Sequence, residues 1–370
     1  MTTRSDGQLA DGREIFYYDR EPGADRSAPD RRTDLAATAT SSQMRWNPLF
    51  RDYSVIAGHR QTRTYKPPAD LCPLDPSSNG KLTEIPASDY EVVVFENRFP
   101  SFALSSVETV PLLDAAPFRS GPGAGRCEVV CFTSDHDGAF SQLPPEHART
   151  VIDAWADRTD ALGRINSIEY VFCFENRGEE IGVTLSHPHG QIYGYPFVPP
   201  RFYRVGESSQ RHRDRFGTCL QCDLLEAEMK AETRVVSVSE HWVSYVPFAA
   251  RWPYEVRVVP RQHVPDLPAL DDARRDDLAR VYLDVLRRFD ALFDTPAPYI
   301  AGWQQAPPRH GHDDWHLAAE IFTIRRAPGK LKYLAGSESG AAVWINDVTP
   351  EAAAARLRGD VPGAAGAGAT

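Results

Sequence analysis

The feature that most constrains the fold is a strand and helix pattern that occurs twice. In the first copy, "DYEVVVFENRFPSF" and "CEVVCFTSDHD" have the composition of strands, and "IEYVFCFEN" closes the unit. The helix between them places on one stripe Val151, Ile152, Trp155, Thr159 and Leu162. The second copy has the strands of "HWVSYVPFAARWPYEVRVVPRQHVPDL", "APYIAGWQQAP" and "DDWHLAAEIFTIRR", and a helix whose apolar stripe is Leu278, Val281, Tyr282, Val285, Leu286, Phe289, Leu292 and Phe293. The pattern predicts an α+β fold of two similar halves.

We divide the chain into a polar N-terminal lead (1–44) with one strand-like piece, "GREIFYYD", an N-terminal half (45–205), a C-terminal half (206–358) and a disordered tail (359–370). His136 and His187 of the first half then fall opposite Gln262-His263 and Ala318-Ala319-Glu320 of the second. This correspondence suggests a duplication whose second copy has lost its histidines. Two unrelated α+β units that merely alternate alike are the alternative.

Composition limits the functional class. The 370 residues carry a net charge of -10, which argues against a general nucleic-acid binder, since such a protein would present a basic face. The polar start lacks the apolar core of a signal peptide, and no run is long enough to span a membrane, so a cytoplasmic protein is expected. Six cysteines in a chain of this length indicate buried thiols or metal ligands rather than a disulfide framework.

The segment "LSHPHGQ" (185–191) carries the strongest chemical signal. If it is extended, residues two apart share a face, so one histidine can bind a metal while the other stays free. Neutral imidazole can attack phosphorus and divide a transfer reaction into two displacements. Gly190 would let the backbone approach a phosphate, and the Gln191 amide can donate to a phosphoryl oxygen. A surface loop that happens to contain two histidines is the competing interpretation.

Two cysteine motifs could bind zinc. Cys72-Pro73-Leu74-Asp75 has the spacing of a zinc knuckle, and it would form a tetrahedral site if His136 and His187 converge with it. A turn in which Asp75 caps the backbone is equally compatible with the sequence. Cys219-Leu220-Gln221-Cys222 precedes a helix, and we interpret it as core packing, with a second metal site as the alternative; His212 is the only histidine nearby in sequence.

Several basic and amide side chains are candidates for binding phosphate. They are Arg60 and Arg63 in "HRQTR", Asn97-Arg98, Lys330 and Lys332. Walker and Rossmann glycine motifs are absent from the sequence. ATP-driven phosphoryl transfer and dinucleotide redox chemistry are therefore disfavoured.

Five segments follow one another along the chain in the order "VFENRFPSF", "CFTSDHD", "FENRGEEIGVTLSHPHGQI", "EHWVSYVPFAARWPYEV" and "KLKYLAGSE". With these segments in this order, the sequence resembles galactose-1-phosphate uridylyltransferases, of the histidine triad superfamily. The resemblance covers roughly residues 45 to 358. It implies two histidine-triad-like halves, with antiparallel sheets and flanking helices, and a ping-pong exchange of UMP between a UDP-sugar and a sugar 1-phosphate.

The resemblance also implies roles for particular residues. His189 matches the nucleophile that becomes uridylylated, and Gln191 matches the residue that steadies the phosphoryl oxygens. Zinc ligands are matched by His136 and His187, with Cys72 and Asp75 where the family usually has two cysteines; the aspartate predicts weaker zinc affinity. Nucleotide- and phosphate-binding positions are matched by Asn97, Phe99, Asn176 and Thr184. The family's homodimer completes the site with segments that here contain Arg60, Arg63, Lys332, Tyr333 and Glu338.

Departures from the family pattern leave the substrates open. Many members hold a second metal with histidines of the second half, and those positions here look like Gln304 and Ala318, with Glu320 near the remaining one, which predicts an empty site. The segment "GSESGAAVWIND" differs from the usual sugar-binding sequence. A galactose-utilising transferase is therefore one hypothesis. A biosynthetic uridylyltransferase that loads another sugar 1-phosphate, with UTP as a candidate donor, is the second, and a catalytically silent binding protein is the third.

Overall fold

The framework is one eleven-stranded antiparallel sheet. The computed structural model describes residues 2–35, 40–62, 67–78, 80–105 and 113–360. The N-terminal lead contributes β1 (Thr3–Gln8) and β2 (Glu14–Asp19), and the first half contributes β5 (Val92–Glu96), β8 (Arg126–Cys131), β9 (Tyr170–Arg177) and β10 (His189–Tyr195). The second-half strands are β11 (Val235–Val238), β12 (Trp242–Tyr245), β13 (Tyr254–Pro260), β14 (Tyr299–Gln304) and β15 (Ala318–Thr323). Across the sheet the order is β1-β2-β5-β8-β10-β9-β14-β15-β13-β12-β11.

The strand order is the same in the two halves when each is counted from the joint between β9 and β14. Moving outward from that joint, β9, β10, β8 and β5 correspond to β14, β15, β13 and β12. The two middle strands are antiparallel, with Ala301 opposite Glu175. The expected α+β fold of two histidine-triad-like halves is thereby confirmed, and the halves form one continuous sheet.

One face of the sheet carries the main hydrophobic core. The helices α1 (Pro145–Gly163), α4 (Asp272–Asp290) and α5 (Pro350–Arg358) pack there. The five apolar positions predicted for α1 are all buried. The stripe predicted for the second helix is buried from Leu278 to Leu292, and Phe293 packs at its edge. Trp155, Tyr282 and Trp303 pack against one another where α1, α4 and β14 meet.

The opposite face is only partly covered, which leaves room for a site. A four-stranded sheet lies over the first half, in the order β4 (Asp52–Ile56), β3 (Gln43–Asn47), β7 (Phe118–Pro122) and β6 (Asp114–Ala115). The helices α2 (Pro200–Phe216) and α3 (Leu220–Ala231) pack on the same face further along. A short hairpin of β16 (Arg325–Ala327) and β17 (Lys330–Leu331) follows β15.

The polar lead contributes to the sheet. The predicted strand "GREIFYYD" is β2, which pairs with β5 on one side and with β1 on the other. At the other end, α5 stops at Arg358 and Gly359 follows in the left-handed conformation. Residues 361–370 of the expected disordered tail lie outside the described residues. Within the part of the chain that the structure describes, no helix combines the length and the apolar character needed to cross a membrane.

Candidate functional site

His189 is the first residue of β10 and lies where two clefts meet. Its ring Nδ1 is 2.8 Å from the backbone oxygen of His187. Because a carbonyl can only accept, Nδ1 must carry the proton, and a neutral ring then has its lone pair on Nε2. Nε2 has no hydrogen-bond partner among the described residues. The backbone thus selects one tautomer and leaves a nucleophilic nitrogen free.

Burial keeps this ring neutral. Desolvation lowers the pKa of His189 below its ordinary value, although the hydrogen bond to the His187 carbonyl opposes the shift. Gly190 has a different role from the one predicted. A Cβ there would lie 2.8 Å from both the Phe132 ring and the Phe174 backbone oxygen. The glycine is therefore required by packing on the far face of the strand, and the expectation that it admits a phosphate is wrong.

The larger cleft has a volume of about 400 Å³, within the range of small-molecule sites. Its lining combines an apolar wall, polar groups and the candidate nucleophile: Arg60, Pro73, Leu74, Glu84, Phe95, Asn97, Arg98, Phe99, Val129, Thr184, Leu185, His189 and Gln191. The smaller cleft, of about 280 Å³, lies on the other side of His189 and is lined in part by His136, Asn176 and Thr184. A ligand in either cleft can reach the histidine.

Five of the predicted binding residues are therefore brought to the site. Arg60, Asn97, Phe99 and Thr184 line the larger cleft and Asn176 lines the smaller one. Arg60 donates to the Ser101 hydroxyl, and its buried Nε has no hydrogen-bond partner among the described residues. An orphan cationic donor in a cleft wall is suited to an anionic ligand. Arg63 lies outside the described residues.

Three predicted binding residues lie elsewhere in the chain. Lys332 and Glu338 are buried against each other, with Nζ 2.7 Å from Oε1, and Lys332 also donates to the Ile345 carbonyl. Lys332 holds the pKa of Glu338 well below its ordinary value. Tyr333 beside them is 72% exposed. Neither cleft wall includes any of the three, so within one chain they do not contribute to the site around His189.

The first metal cluster assembles as predicted from Cys72, Asp75, His136 and His187, whose ligand atoms all lie within 4.8 Å of one another. Asp75 Oδ1 is 2.8 Å from His136 Nδ1 and 3.2 Å from His187 Nδ1. Oδ2 accepts from Lys81 at 3.0 Å. Asp75 therefore faces both imidazoles, which favours a metal site over the alternative of a backbone-capping turn.

The groups behind the ligands hold the rings in place. His187 Nε2 lies 2.8 Å from the Thr133 backbone oxygen and 2.8 Å from the Tyr90 hydroxyl. The carbonyl fixes the proton on Nε2 and so leaves Nδ1 unprotonated toward Asp75 and Cys72. Burial lowers the pKa of His187, which favours the neutral form that a metal requires.

A second cluster corrects two expectations. Cys219 and Cys222 are only partly buried, and they lie with His263 and His316 so that their ligand atoms fall within 4.8 Å. The interpretation of the cysteine pair as core packing is therefore wrong. His212 is not part of this cluster, because its Nε2 pairs with Asp223 at 2.7 Å.

The alignment of the halves also changes. Ala318 begins β15 as His189 begins β10, so His316 corresponds to His187 and Ala318 stands at the position of the candidate nucleophile. The correspondence of His187 with Ala318 expected from the sequence is therefore wrong by two residues. Gln304 accepts from Arg257, and Glu320 pairs with Arg201 at 2.6 Å.

Several site residues were not predicted. Leu74, Phe95, Val129 and Leu185 form an apolar wall of the larger cleft, and Glu84 lies within it, bound by Arg13, Arg32 and Arg98. The run of apolar residues in β5 and the valines of β8 indicate that these strands are buried. They do not show which face is covered by core and which by a ligand, and no other sequence signal marks the residues of this wall.

Comparison with known proteins agrees with this geometry. Residues 32–199 match the family described as "Galactose-1-phosphate uridyl transferase, N-terminal domain", and residues 203–365 match its C-terminal domain. The chain is 46% identical to galactose-1-phosphate uridylyltransferase of Streptomyces lividans, over 95% of this chain and 96% of that protein. It is 36% identical to the Thermotoga maritima enzyme of the same name, over 85% and 98%.

A solved structure described as "Structure of uridylyltransferase" superimposes with a TM-score of 0.78 at 32% identity, covering 86% of this chain and 98% of that one. Both family domains, the long sequence matches and the shared fold agree, and the chain belongs to the galactose-1-phosphate uridylyltransferase family.

Proposed function

We propose that this protein transfers UMP between a UDP-sugar and a sugar 1-phosphate, with His189 carrying the nucleotidyl group between two half-reactions. The observation that carries the proposal is the His189 ring, whose Nδ1 is held by the His187 carbonyl and whose Nε2 stays unpaired beside both clefts. Family membership supports the same chemistry.

In the first half-reaction, His189 Nε2 attacks the α-phosphorus of the UDP-sugar. The new P–N bond replaces the bond to the bridging oxygen, and the sugar 1-phosphate leaves with that electron pair. In the second, an oxygen of another sugar 1-phosphate attacks the same phosphorus, the P–N bond breaks, and its electron pair returns to Nε2. Nδ1 keeps its proton on the His187 carbonyl throughout, which stabilises the ring as it becomes cationic.

The cleft walls suit a nucleotide. Phe95, Leu74 and Val129 provide an apolar surface for a flat base, with Phe99 at the same cleft. Arg60 supplies a cation and an unpaired donor for the phosphates. Gln191 follows His189 by two residues on the same strand face, so its amide can donate to the phosphoryl oxygens as charge develops.

The first metal cluster fits zinc. One thiol, one carboxylate and two imidazoles form a four-ligand set. Asp75 Oδ1 lies 3.2 Å from His187 Nδ1, close to the tetrahedral oxygen-to-nitrogen edge of about 3.4 Å, and 2.8 Å from His136 Nδ1, a hydrogen-bond distance that is shorter than this edge. When bound, zinc would neutralise Cys72 and Asp75 and fix the segment before β10. The chain's own contribution is the His187 carbonyl, which orients the nucleophile two residues further on.

We further propose a homodimer in the cytoplasm. Lys332, Tyr333 and Glu338 match sugar- and phosphate-binding segments of the family yet lie outside both clefts of their own chain, so a second copy would have to bring them to the site. Tyr333 is exposed, and Leu334, Val343 and Ile345 are exposed apolar residues in the same segment. All six cysteines are free thiols, which suits a reducing compartment.

Intact-mass measurement after mixing the protein with UDP-glucose tests the proposal. We expect a UMP adduct that is labile in acid, stable in base and absent from His189→Ala, whereas His212→Ala, a histidine change outside both clefts, forms it normally. An adduct with UTP but not with UDP-glucose would indicate a different donor. If no uridine nucleotide labels the protein, the proposed transfer is refuted.

A further inference from the structure

Glu84 is a charged side chain in the wall of the larger cleft to which the transfer chemistry gives no task. It is only 7% exposed. Its backbone N–H donates to the Pro73 oxygen at 3.0 Å, and Pro73 is followed by Leu74 of the apolar wall. A parallel β-bridge between Pro76 and Ile85 holds the segment on its other side. The backbone therefore fixes Glu84 beside the surface proposed for the nucleotide base.

Three guanidinium groups surround this carboxylate. Its Oε2 accepts from Arg13, and its Oε1 lies 2.7 Å from Arg32 Nη1 and 3.3 Å from Arg98 Nη1. Arg13 is 2% exposed, and both Arg13 and Arg32 also bind a second acidic side chain. A buried charge is stable only when it is paired and hydrogen-bonded, and these contacts meet that requirement. Glu84 is therefore held as a fixed anion in the cleft wall.

The N-terminal lead supplies Arg13 and Arg32. Arg13 lies in the turn between β1 and β2, and its Nη1 also donates to the Glu96 backbone oxygen at 2.8 Å. The match to the family's N-terminal domain begins at residue 32, so Arg13 lies outside it. The lead therefore does more than add strands to the sheet, because it positions a side chain of the cleft.

Glu84 keeps an acceptor position for a ligand. Each carboxylate oxygen can accept two hydrogen bonds. Both positions on Oε1 are taken by Arg32 and Arg98, whereas among the described residues Oε2 accepts from Arg13 alone. The Arg98 side chain is 39% exposed and lies over the Phe99 ring, so its other N–H groups can reach a ligand at the same wall. An acceptor and a donor thus stand side by side.

The strand register places Glu84 at the nucleoside end of the cleft. His189 on β10 and Val93 on β5 lie level with each other, on either side of β8. Glu96 is three residues after Val93, and its backbone oxygen and Glu84 bind the same guanidinium. Strand spacing and rise put the backbones of His189 and Glu96 about 14 Å apart. The phosphates adjoin the reacting phosphorus at His189, so the part of the substrate that reaches Glu84 is the nucleoside.

We propose that Glu84 makes this protein selective for ribonucleotides: its Oε2 accepts from the 2′-hydroxyl of the nucleoside, and Arg98 donates to the neighbouring 3′-hydroxyl. The inference rests on the proposed transfer of UMP and identifies the part of the nucleotide that is recognised. Adjacent hydroxyls match an acceptor beside a donor, and carboxylates commonly bind ribose hydroxyls. A 2′-deoxynucleotide would leave the buried acceptor unpaired, which lowers its affinity. Arg13 lines neither cleft and is a positioning residue.

Competition between two donors tests the role of Glu84. The protein is mixed with equal amounts of UDP-glucose and 2′-deoxy-UDP-glucose, and intact mass after a short reaction gives the ratio of the two adducts, which differ by one oxygen atom. We expect wild type to favour the ribonucleotide by about ten- to a hundredfold, and Glu84→Gln by less than about threefold, because the amide nitrogen cannot accept. Glu228→Gln, at a buried glutamate that pairs with Arg234 outside both clefts, should keep the wild-type preference.

An equal preference in Glu84→Gln and wild type would overturn the proposal. This includes the case in which both donors react more slowly, since a contact with the base or a purely structural role affects both donors alike. If neither donor labels the protein, the proposed transfer itself fails. Titration calorimetry with UMP and 2′-deoxy-UMP then makes the same comparison by binding alone, and equal affinities in wild type would refute the role of Glu84.

A second variant tests the part played by the lead. Arg13→Lys replaces the guanidinium that bridges the Glu96 oxygen and Glu84 with a single ammonium, so Glu84 is held less firmly. We expect the preference for the ribonucleotide to fall by about threefold, as a partial loss of one charge-assisted contact. Arg158→Lys, at a buried arginine outside both clefts, is the control. An unchanged preference in Arg13→Lys would show that the lead does not position Glu84.

Discussion

The two halves of the sheet share one strand order but differ in the side chains at corresponding positions. The first half has the nucleophile position filled by His189 and a metal cluster in which Asp75 replaces a thiol. The second half has a full cluster of two cysteines and two histidines, but Ala318 stands where the nucleophile would be and is completely buried. The comparison shows that the set of metal ligands and the residue at the nucleophile position can differ independently between the halves, because they are different residues of corresponding segments.

Removal of the nucleophile should have the largest effect. His189→Ala makes the first half resemble the second, and we expect the transferase rate to fall by at least ~10⁴-fold, since the covalent route is lost. Steady-state assay with UDP-glucose and a sugar 1-phosphate measures it, with His212→Ala as a control of unchanged rate. A residual rate within tenfold of wild type would show that His189 is not the nucleophile and that the two halves do not differ in this respect.

The next largest effect concerns the residue two positions after the nucleophile. Gln191 corresponds to Glu320, which in the second half pairs with Arg201. Gln191→Glu replaces a donor with a negative charge beside the phosphate, and we expect kcat to fall by about 10²–10³-fold. The mirrored change Glu320→Gln should leave kcat unaltered. Equal losses in both variants would mean that the second half contributes directly to the reaction.

A third difference between the halves lies in the core. By strand register, Glu175 on β9 corresponds to Trp303 on β14. Glu175 is buried at the wall of the smaller cleft and accepts from the Tyr299 hydroxyl, and burial raises its pKa to about 8. The charged groups nearest to it, Arg177 on the same strand and Asp290 at the end of α4, pair with each other at 2.5 Å.

The folded chain holds a proton on Glu175 up to about pH 8, whereas the unfolded chain releases it near the ordinary pKa of 4.5. The contribution of this group to the free energy of unfolding is therefore fully present below pH 4.5 and is lost as the pH rises to about 8. Glu175→Gln should remove this dependence, so that the variant gains on the order of 3 kcal/mol relative to wild type between pH 5 and pH 8. Urea unfolding at both pH values measures it. The exposed Glu226→Gln is the control, and parallel profiles of Glu175→Gln and wild type would refute the assignment.

The smallest expected effect concerns the fourth ligand of the first cluster. Asp75→Cys gives this cluster two cysteines and two histidines, as in the second cluster, and it should slow the release of zinc to a chelator by about tenfold, because thiolate is the softer ligand. The kinetics of the chelator's colour change would measure the release. If the rate does not change, the fourth ligand does not determine how tightly the first cluster holds the ion.

Much of the fold was predictable because it depends on local periodicity. The stripes from Val151 to Leu162 and from Leu278 to Leu292 indicate both long helices, and the strands flanking them indicate the repeated unit. The single continuous sheet was not predictable, since nothing in β9 or β14 alone indicates that Ala301 pairs with Glu175. That pairing depends on how two distant edges meet.

The candidate site divides in the same way. His187, His189 and Gln191 are close together in sequence, so their shared chemistry can be recognised from the amino-acid sequence alone. The second cluster cannot, because the histidine near Cys219 along the chain is His212, which does not belong to the cluster, and because the sequence correspondence sets His187 opposite Ala318 rather than His316. An error of two residues in strand register is enough to hide a ligand.

His187 has two separate tasks. Its ring belongs to the first metal cluster, while its own backbone oxygen receives the Nδ1 proton of His189. The position of the ring proton on His189 is therefore set by the backbone carbonyl two residues earlier in the chain. Because both tasks fall on one residue, a substitution that displaces the His187 backbone would disturb the candidate metal site and the tautomer of His189 together.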